Sequence, residues 1–113
     1  MNDEYLNLRI NPERLKADFD ALAEIGSTGD GGVHRPAFSE AHQAARAWYR
    51  QRVLAAGLEF HRDGAGNQSA RLPCGSPGAA SLLVGSHLDS VPYGGRFDGA
   101  LGVLAGLEVL RVV

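Results

Sequence analysis

The stretch Gly85–Gly102, GSHLDSVPYGGRFDGALG, sets one histidine and two aspartates among glycines and a proline, between two apolar segments. Imidazole nitrogen and carboxylate oxygen are the donors of zinc and related divalent ions, so His87, Asp89 and Asp98 have the chemistry of a metal site. His87 ends the apolar run SLLVGSH, which reads as a buried strand. In open α/β sheets ligands bind outside the carboxyl ends of the strands. If strand geometry continues, Asp89 points to the same side as His87. Its carboxylate can then fix the imidazole tautomer and raise its basicity toward a metal. Asp98 begins the next predicted helix, and SVPYGG, stiffened by Pro92 and bent at Gly94-Gly95, can bring it back to His87. A carboxylate there can bridge two cations about 3.5–4 Å apart, an arrangement that activates water. Plainer assignments stand beside these. A His-x-Asp triplet arises by chance in a chain with four histidines, and Asp98 also suits a helix cap.

The elements that must position these residues follow from local signals. Asn11-Pro12-Glu13 reads as a helix start, and Leu15, Phe19 and Leu22 follow at helical spacing up to Ile25-Gly26. The glycine-rich GSTGDGGVHRPAF is a loop. Ser39 caps a second helix with Ala41, Ala44, Ala45 and Trp48 on its apolar face and Gly57 at its end. LEFHRD alternates as a half-buried strand, GAGN turns, and QSARL returns. From Asp98 a helix resumes with Leu101, Leu104, Ala105 and Val109 on its core-facing side, and its Gly99, Gly102 and Gly106 permit close approach to a sheet. The order suggests an α/β layer architecture. The chain stops at Val113 inside an apolar pattern, which reads as the N-terminal part of a longer protein.

Composition narrows the function classes. A 113-residue chain with 44% hydrophobic and 21% charged residues can form a globular core. A net charge of −2 with mixed signs provides no basic stripe for nucleic acid. MNDEYLNLRINPERL lacks a signal-peptide core, and no apolar run is long enough to cross a membrane. A single cysteine, Cys74, excludes an internal disulfide and fits a reducing, cytoplasmic setting. Cys74 has no activating base near it in sequence and reads as a loop thiol. His34 and Arg35 read as structural loop residues, His42 and His61 as solvated ones. Trp48 and Tyr49 pack on or flank the second helix's core face, and Tyr93 and Arg96 flank the candidate metal loop. No nucleotide-binding glycine motif is present.

GSHLDSVPYGGRFDGALGVLAGLEVL, preceded by IGSTGDGGVHRPAFS and AARAWYRQRVLAAGLEFHRDGAGN, closely resembles the metal-binding segment of the hydantoinase/carbamoylase-type amidohydrolases. That group includes N-carbamoyl-L-amino-acid hydrolases, allantoate amidohydrolases and bacterial-type β-ureidopropionases, within the zinc-dependent aminoacylase/carboxypeptidase superfamily. The resemblance covers nearly the whole chain. Its short His-to-Asp spacing favours this branch over the superfamily's peptidases. It implies a zinc-peptidase-like α/β catalytic domain, a mixed sheet flanked by helices, of which residues 1–113 form the N-terminal part. The rest of that domain and a dimerisation domain would lie beyond. It also implies two divalent ions, zinc foremost and manganese, cobalt or nickel otherwise. His87 would bind one of them, Asp98 would bridge both, and Asp89 would orient His87.

The implied reaction is hydrolysis of a carbamoyl or ureido C–N bond in a small molecule such as an N-carbamoyl-L-amino acid, allantoate or ureidopropionate. Metal-held water would attack and a glutamate would shuttle the proton. The full-length protein would be a homodimer. The family's glutamate pair and two further ligand histidines would follow residue 113, and Glu108, inside the helix pattern, cannot replace them. Two ligands hold a metal weakly, so residues 1–113 alone are expected to be inactive. An aminoacylase- or carboxypeptidase-like peptidase is the alternative within the same chemistry. A non-catalytic relic domain is the alternative outside it, and the joint presence of His87, Asp89 and Asp98 counts against it.

Overall fold

Asn11 begins the first helix as its side chain allows: Oδ1 accepts from Arg14 N at 3.0 Å, with Pro12 in the first turn. The computed structural model describes residues 3–113; Met1 and Asn2 of the polar opening stretch lie outside the described residues. Helix α1 spans Pro12–Glu24 and buries Asp18, Phe19 and Leu22. Strand β1, Gly32–Val33, forms within the glycine-rich loop. Ser39 caps helix α2, Glu40–Ala55, its hydroxyl accepting from His42 N at 3.2 Å. Losing that cap by Ser39→Ala should destabilise the chain by about 1 kcal/mol, read as a lower urea midpoint at unchanged slope. Gly57, at φ +74°, closes the helix in the left-handed conformation expected of it.

Strands β2 (Glu59–Arg62) and β3 (Gln68–Arg71) form an antiparallel hairpin with Glu59 opposite Arg71 and Arg62 opposite Gln68. Its turn is organised by Asp63, whose carboxylate accepts from the amides of Ala65 and Asn67. Strand β4, Gly94–Gly95, pairs antiparallel with β1 and so lays the candidate metal loop against the glycine-rich loop. Helix α3 spans Ala100–Val112. The three helices share one core with Phe19 and Leu22 from α1, Ala45, Tyr49 and Val53 from α2, and Ala100, Leu104 and Leu107 from α3. Among the described residues no helix is long and apolar enough to cross a membrane.

Four expectations need correction. The buried strand SLLVGSH is not formed: among the described residues, 80–87 pair with no strand, and Leu82 and Leu83 are 95% and 85% exposed. A central strand is buried only by neighbours on both sides, and neither two-stranded sheet extends to this segment. It does run along α3. A Cβ at Gly102 would meet Ser86 Cβ and Oγ at 2.8 Å, and one at Gly106 would meet Val84 Cγ1 at 3.5 Å.

In α2 the buried positions are His42, Ala45, Tyr49 and Val53, while Ala44 is exposed and Ala41 and Trp48 are half-buried. Alanines offer little apolar area, so the larger Tyr49 and Val53 decide which face turns inward. His42 is therefore not solvated. It is 8% exposed, and its Nδ1 accepts from Phe38 N at 2.9 Å. Burial, with Arg46 adding to it, pushes its pKa down and keeps the ring a neutral acceptor.

In α3, Leu101 and Val109 face outward, at 46% and 49% exposure, while Ala100, Leu104, Leu107 and Glu108 face inward. This helix is apolar on almost every side, so periodicity alone cannot choose its inner face. Polar pairing chooses it: Glu108 bonds Arg14 of α1 and Arg111 bonds Asp18 of α1.

Candidate metal centre

His87 lies at the end of the irregular 80–87 segment, against Gly99 at the start of α3. Its Nδ1 stands 2.9 Å from the main-chain oxygen of Asp89 and 3.3 Å from that residue's Oδ1. A carbonyl only accepts, so this contact requires the proton on Nδ1, and in the neutral ring the Nε2 lone pair is then free. Asp89 thus orients His87 mainly through its backbone, with the carboxylate slightly farther away.

The freed Nε2 faces Asp98 Oδ2 at 3.4 Å. That is long for a hydrogen bond. It suits two donors to one cation, because ligands each about 2.1 Å from a tetrahedral ion stand about 3.4 Å apart. Asp98 does not cap α3: the residue before the helix is Gly99, and no side-chain cap bond is made. Instead Ala100 N donates to Asp98 O at 2.8 Å across Gly99, at φ +71° and ψ −55°, a tight three-residue turn. The turn seats Gly99 against His87, where a Cβ would lie 2.5 Å from Cε1, Nδ1 and the carbonyl oxygen. Loop, ring and helix start are thereby locked together, and the glycine is what lets them meet.

The structure places Asp89 beside Nδ1 of His87 and Asp98 beside its Nε2, on opposite edges of the ring. They remain open to solvent, the side chains of His87, Asp89 and Asp98 being 49%, 40% and 80% exposed. Among the described residues no group of three or more His, Cys, Asp or Glu converges as a metal shell. Glu108 is not available to one, since its carboxylate accepts from Arg14, Arg111 and Asn11 N.

Neighbours singled out by sequence fall into place around the loop. Tyr93 N donates to His34 Nδ1 at 3.2 Å, and the two rings lie 4.6 Å apart. Arg96 lies over the rings of Phe19 and Phe97. Cys74 is exposed and free. Arg35 is the residue that sequence reasoning undervalued: it is 2% exposed, and its guanidinium reaches main-chain oxygens on both α1 and the His87 loop. Its place in a glycine-rich loop gave no sign of burial.

No family model matches the chain. It is 40% identical over 104 residues, 92% of its length, to the N-carbamoyl-L-amino-acid amidohydrolase of Pseudomonas sp. (strain NS671). It is 36% identical over 90 residues to the allantoate amidohydrolase of Bacillus subtilis, covering 80% of this chain and 22% of that protein. Its fold superposes on a crystal structure of a hydantoinase/carbamoylase family amidase from Burkholderia ambifaria with a TM-score of 0.88 at 44% identity, covering 92% of this chain and 26% of that one. The chain spans about a quarter of the length of the curated relatives it matches.

Proposed function

We propose that this chain, a relative of the hydantoinase/carbamoylase-type amidohydrolases in both sequence and fold, forms part of a metal-dependent catalytic domain that hydrolyses a linear carbamoyl or ureido C–N bond. The observation that carries the metal in this reading is the 3.4 Å approach of His87 Nε2 to Asp98 Oδ2, with Nδ1 turned to Asp89. A nitrogen and a carboxylate oxygen suit zinc first, and manganese, cobalt or nickel also. When bound, such an ion acidifies water and polarises the scissile carbonyl.

The chain's own residues have defined tasks in this scheme. His87 offers Nε2 as a neutral donor, and Asp89 holds its proton on Nδ1. Asp98 offers carboxylate oxygen from a turn that cannot swing freely, because Gly99 is packed on His87. The open face of the three side chains leaves room for further donors and for a small carbamoyl or ureido substrate. Those further donors would come from outside residues 1–113, so this chain alone is expected to release no ammonia from N-carbamoyl amino acids.

The test is a chimera in which residues 3–113 replace the matching quarter of the Pseudomonas relative. The proposal expects ammonia release from N-carbamoyl-L-amino acids that is abolished by a chelator and restored by zinc or manganese. Activity that is indifferent to the chelator, or a folded, metal-loaded chimera without activity, would count against it.

A further inference from the structure

Arg35 is a buried cation whose guanidinium donates to main-chain oxygens. Its Nε donates to Leu88 O at 2.7 Å, and its Nη1 donates to Leu22 O at 3.0 Å and Ile25 O at 2.7 Å. Leu22 and Ile25 lie at the carboxyl end of α1, where unpaired carbonyls concentrate negative potential and favour a cation. Leu88 lies between His87 and Asp89 and is itself buried. The backbone of Arg35 holds the next residue as well: its N donates to Ser90 Oγ at 2.8 Å, and Ser90 N donates to its oxygen at 2.8 Å. Five hydrogen bonds of one residue, three to residues 88–90 and two to the end of α1, therefore tie the two segments together.

A buried charge is expensive to desolvate, and apolar packing alone would fill this space with less penalty. What an apolar side chain cannot do is fix the main-chain path on either side of Asp89, whose carbonyl sets the His87 tautomer. A lysine could supply the charge but not donors diverging in two directions from one planar group.

We propose that Arg35 is a positioning residue for the metal donors: its guanidinium fork ties the His87–Ser90 loop to the end of α1 and so sets the aim of His87 Nε2 toward Asp98. This rests on the reading of His87 as a metal donor given above. Nothing in the reaction requires Arg35 to touch metal or substrate.

The experiment uses the 113-residue chain and two NMR readouts at neutral pH: hydrogen exchange at the Ser90 amide, and broadening of the His87 ring signals by added Mn2+. Arg35→Lys keeps the charge and donors toward α1 but loses the bond to Leu88. Its Ser90 amide should exchange about tenfold faster. About tenfold more Mn2+ should be needed for the same His87 broadening. Val53→Ala, a destabilising cavity in the core far from the loop in sequence, should keep the wild-type Mn2+ response.

Wild-type exchange and Mn2+ response in Arg35→Lys would overturn the proposal. So would an equal loss in Val53→Ala, because the effect would then follow global stability. Should Arg35→Lys fail to fold, Ser90→Ala decides: it removes one bond of the clamp and should weaken the Mn2+ response by about threefold, and no change would refute the clamp. If the wild-type chain itself shows no Mn2+ broadening at His87, the metal reading fails, and Ser90 exchange alone then judges the clamp.

Discussion

Gly99→Ala is expected to lower the activity of the chimera by about a hundredfold, because a misplacement near 1 Å at a reacting centre has effects of that size. The added Cβ would stand 2.5 Å from Cε1, Nδ1 and O of His87, and the contact partners include backbone that cannot step aside. The conformation compounds the overlap. At φ +71° and ψ −55°, Gly99 occupies a turn that L-residues adopt only under strain. Overpacking and backbone strain together should destabilise the chain by about 2–5 kcal/mol. Gly64 is the control, since nothing lies within 4 Å of its Cβ position and its φ is not positive. Thermal melts of both variants, with chelator-sensitive ammonia release from the chimera, give the comparison. A Gly99→Ala chain as stable and active as Gly64→Ala would remove the argument that this glycine seats His87.

The second large effect concerns Glu108, which is fully buried yet ionised. Arg14 grips it with two nitrogens, Nε to Oε2 at 2.9 Å and Nη2 to Oε1 at 2.7 Å, and Asn11 N donates to Oε1 at 2.9 Å. The Arg14 hydrogen bonds above all, helped by the Asn11 amide and Arg111 and opposed by burial, lower its pKa from 4.5 to about 2. A carboxyl with a depressed folded pKa stabilises the fold above its unfolded pKa, and that stability drains away as pH falls through the folded value. The window is therefore pH 4.5 down to about 2. The shift corresponds to about 3 kcal/mol. Glu108→Ala should forfeit a similar amount at pH 7, because Arg14 and the partly buried Arg111 would each lose a partner. Glu108→Gln should flatten the acid limb of stability. Urea midpoints between pH 7 and pH 2 measure both, and an unchanged acid limb in Glu108→Gln would show that other carboxylates govern it.

Local chemistry was what the sequence disclosed best. Asn11, Ser39 and Gly57 act through neighbours within a few residues, so helix starts and ends could be read from them. The turn between β2 and β3 was equally local. The approach of Asp89 and Asp98 to His87 was legible because a glycine-bent loop joins them within one short stretch. The run at residues 81–87 was misjudged because burial of a strand is a property of its neighbours, not of its own apolar residues. The inner face of α3 was misjudged because its apolar residues surround it. The partners that rotate it, Arg14 and Asp18, lie on the other side of the chain. His42 carried a usable signal that was passed over: it shares a helical stripe with Ala45, Tyr49 and Val53, which places it inward.

The ties between α1 and α3 also set an order of events. Asn11 N meets Glu108 across 97 positions, and Arg111 meets Asp18 across 93. Contacts so distant require closure of a long loop before they return any stabilisation, and such contacts slow folding. On a ribosome making about 5–20 residues per second, α2 and the hairpin can form from what has already emerged. The first turn of α1 has to wait for its carboxylate until Glu108 arrives. Helix α1 precedes α2 and α3 in the chain and, on this ordering, is locked only once α3 has been made.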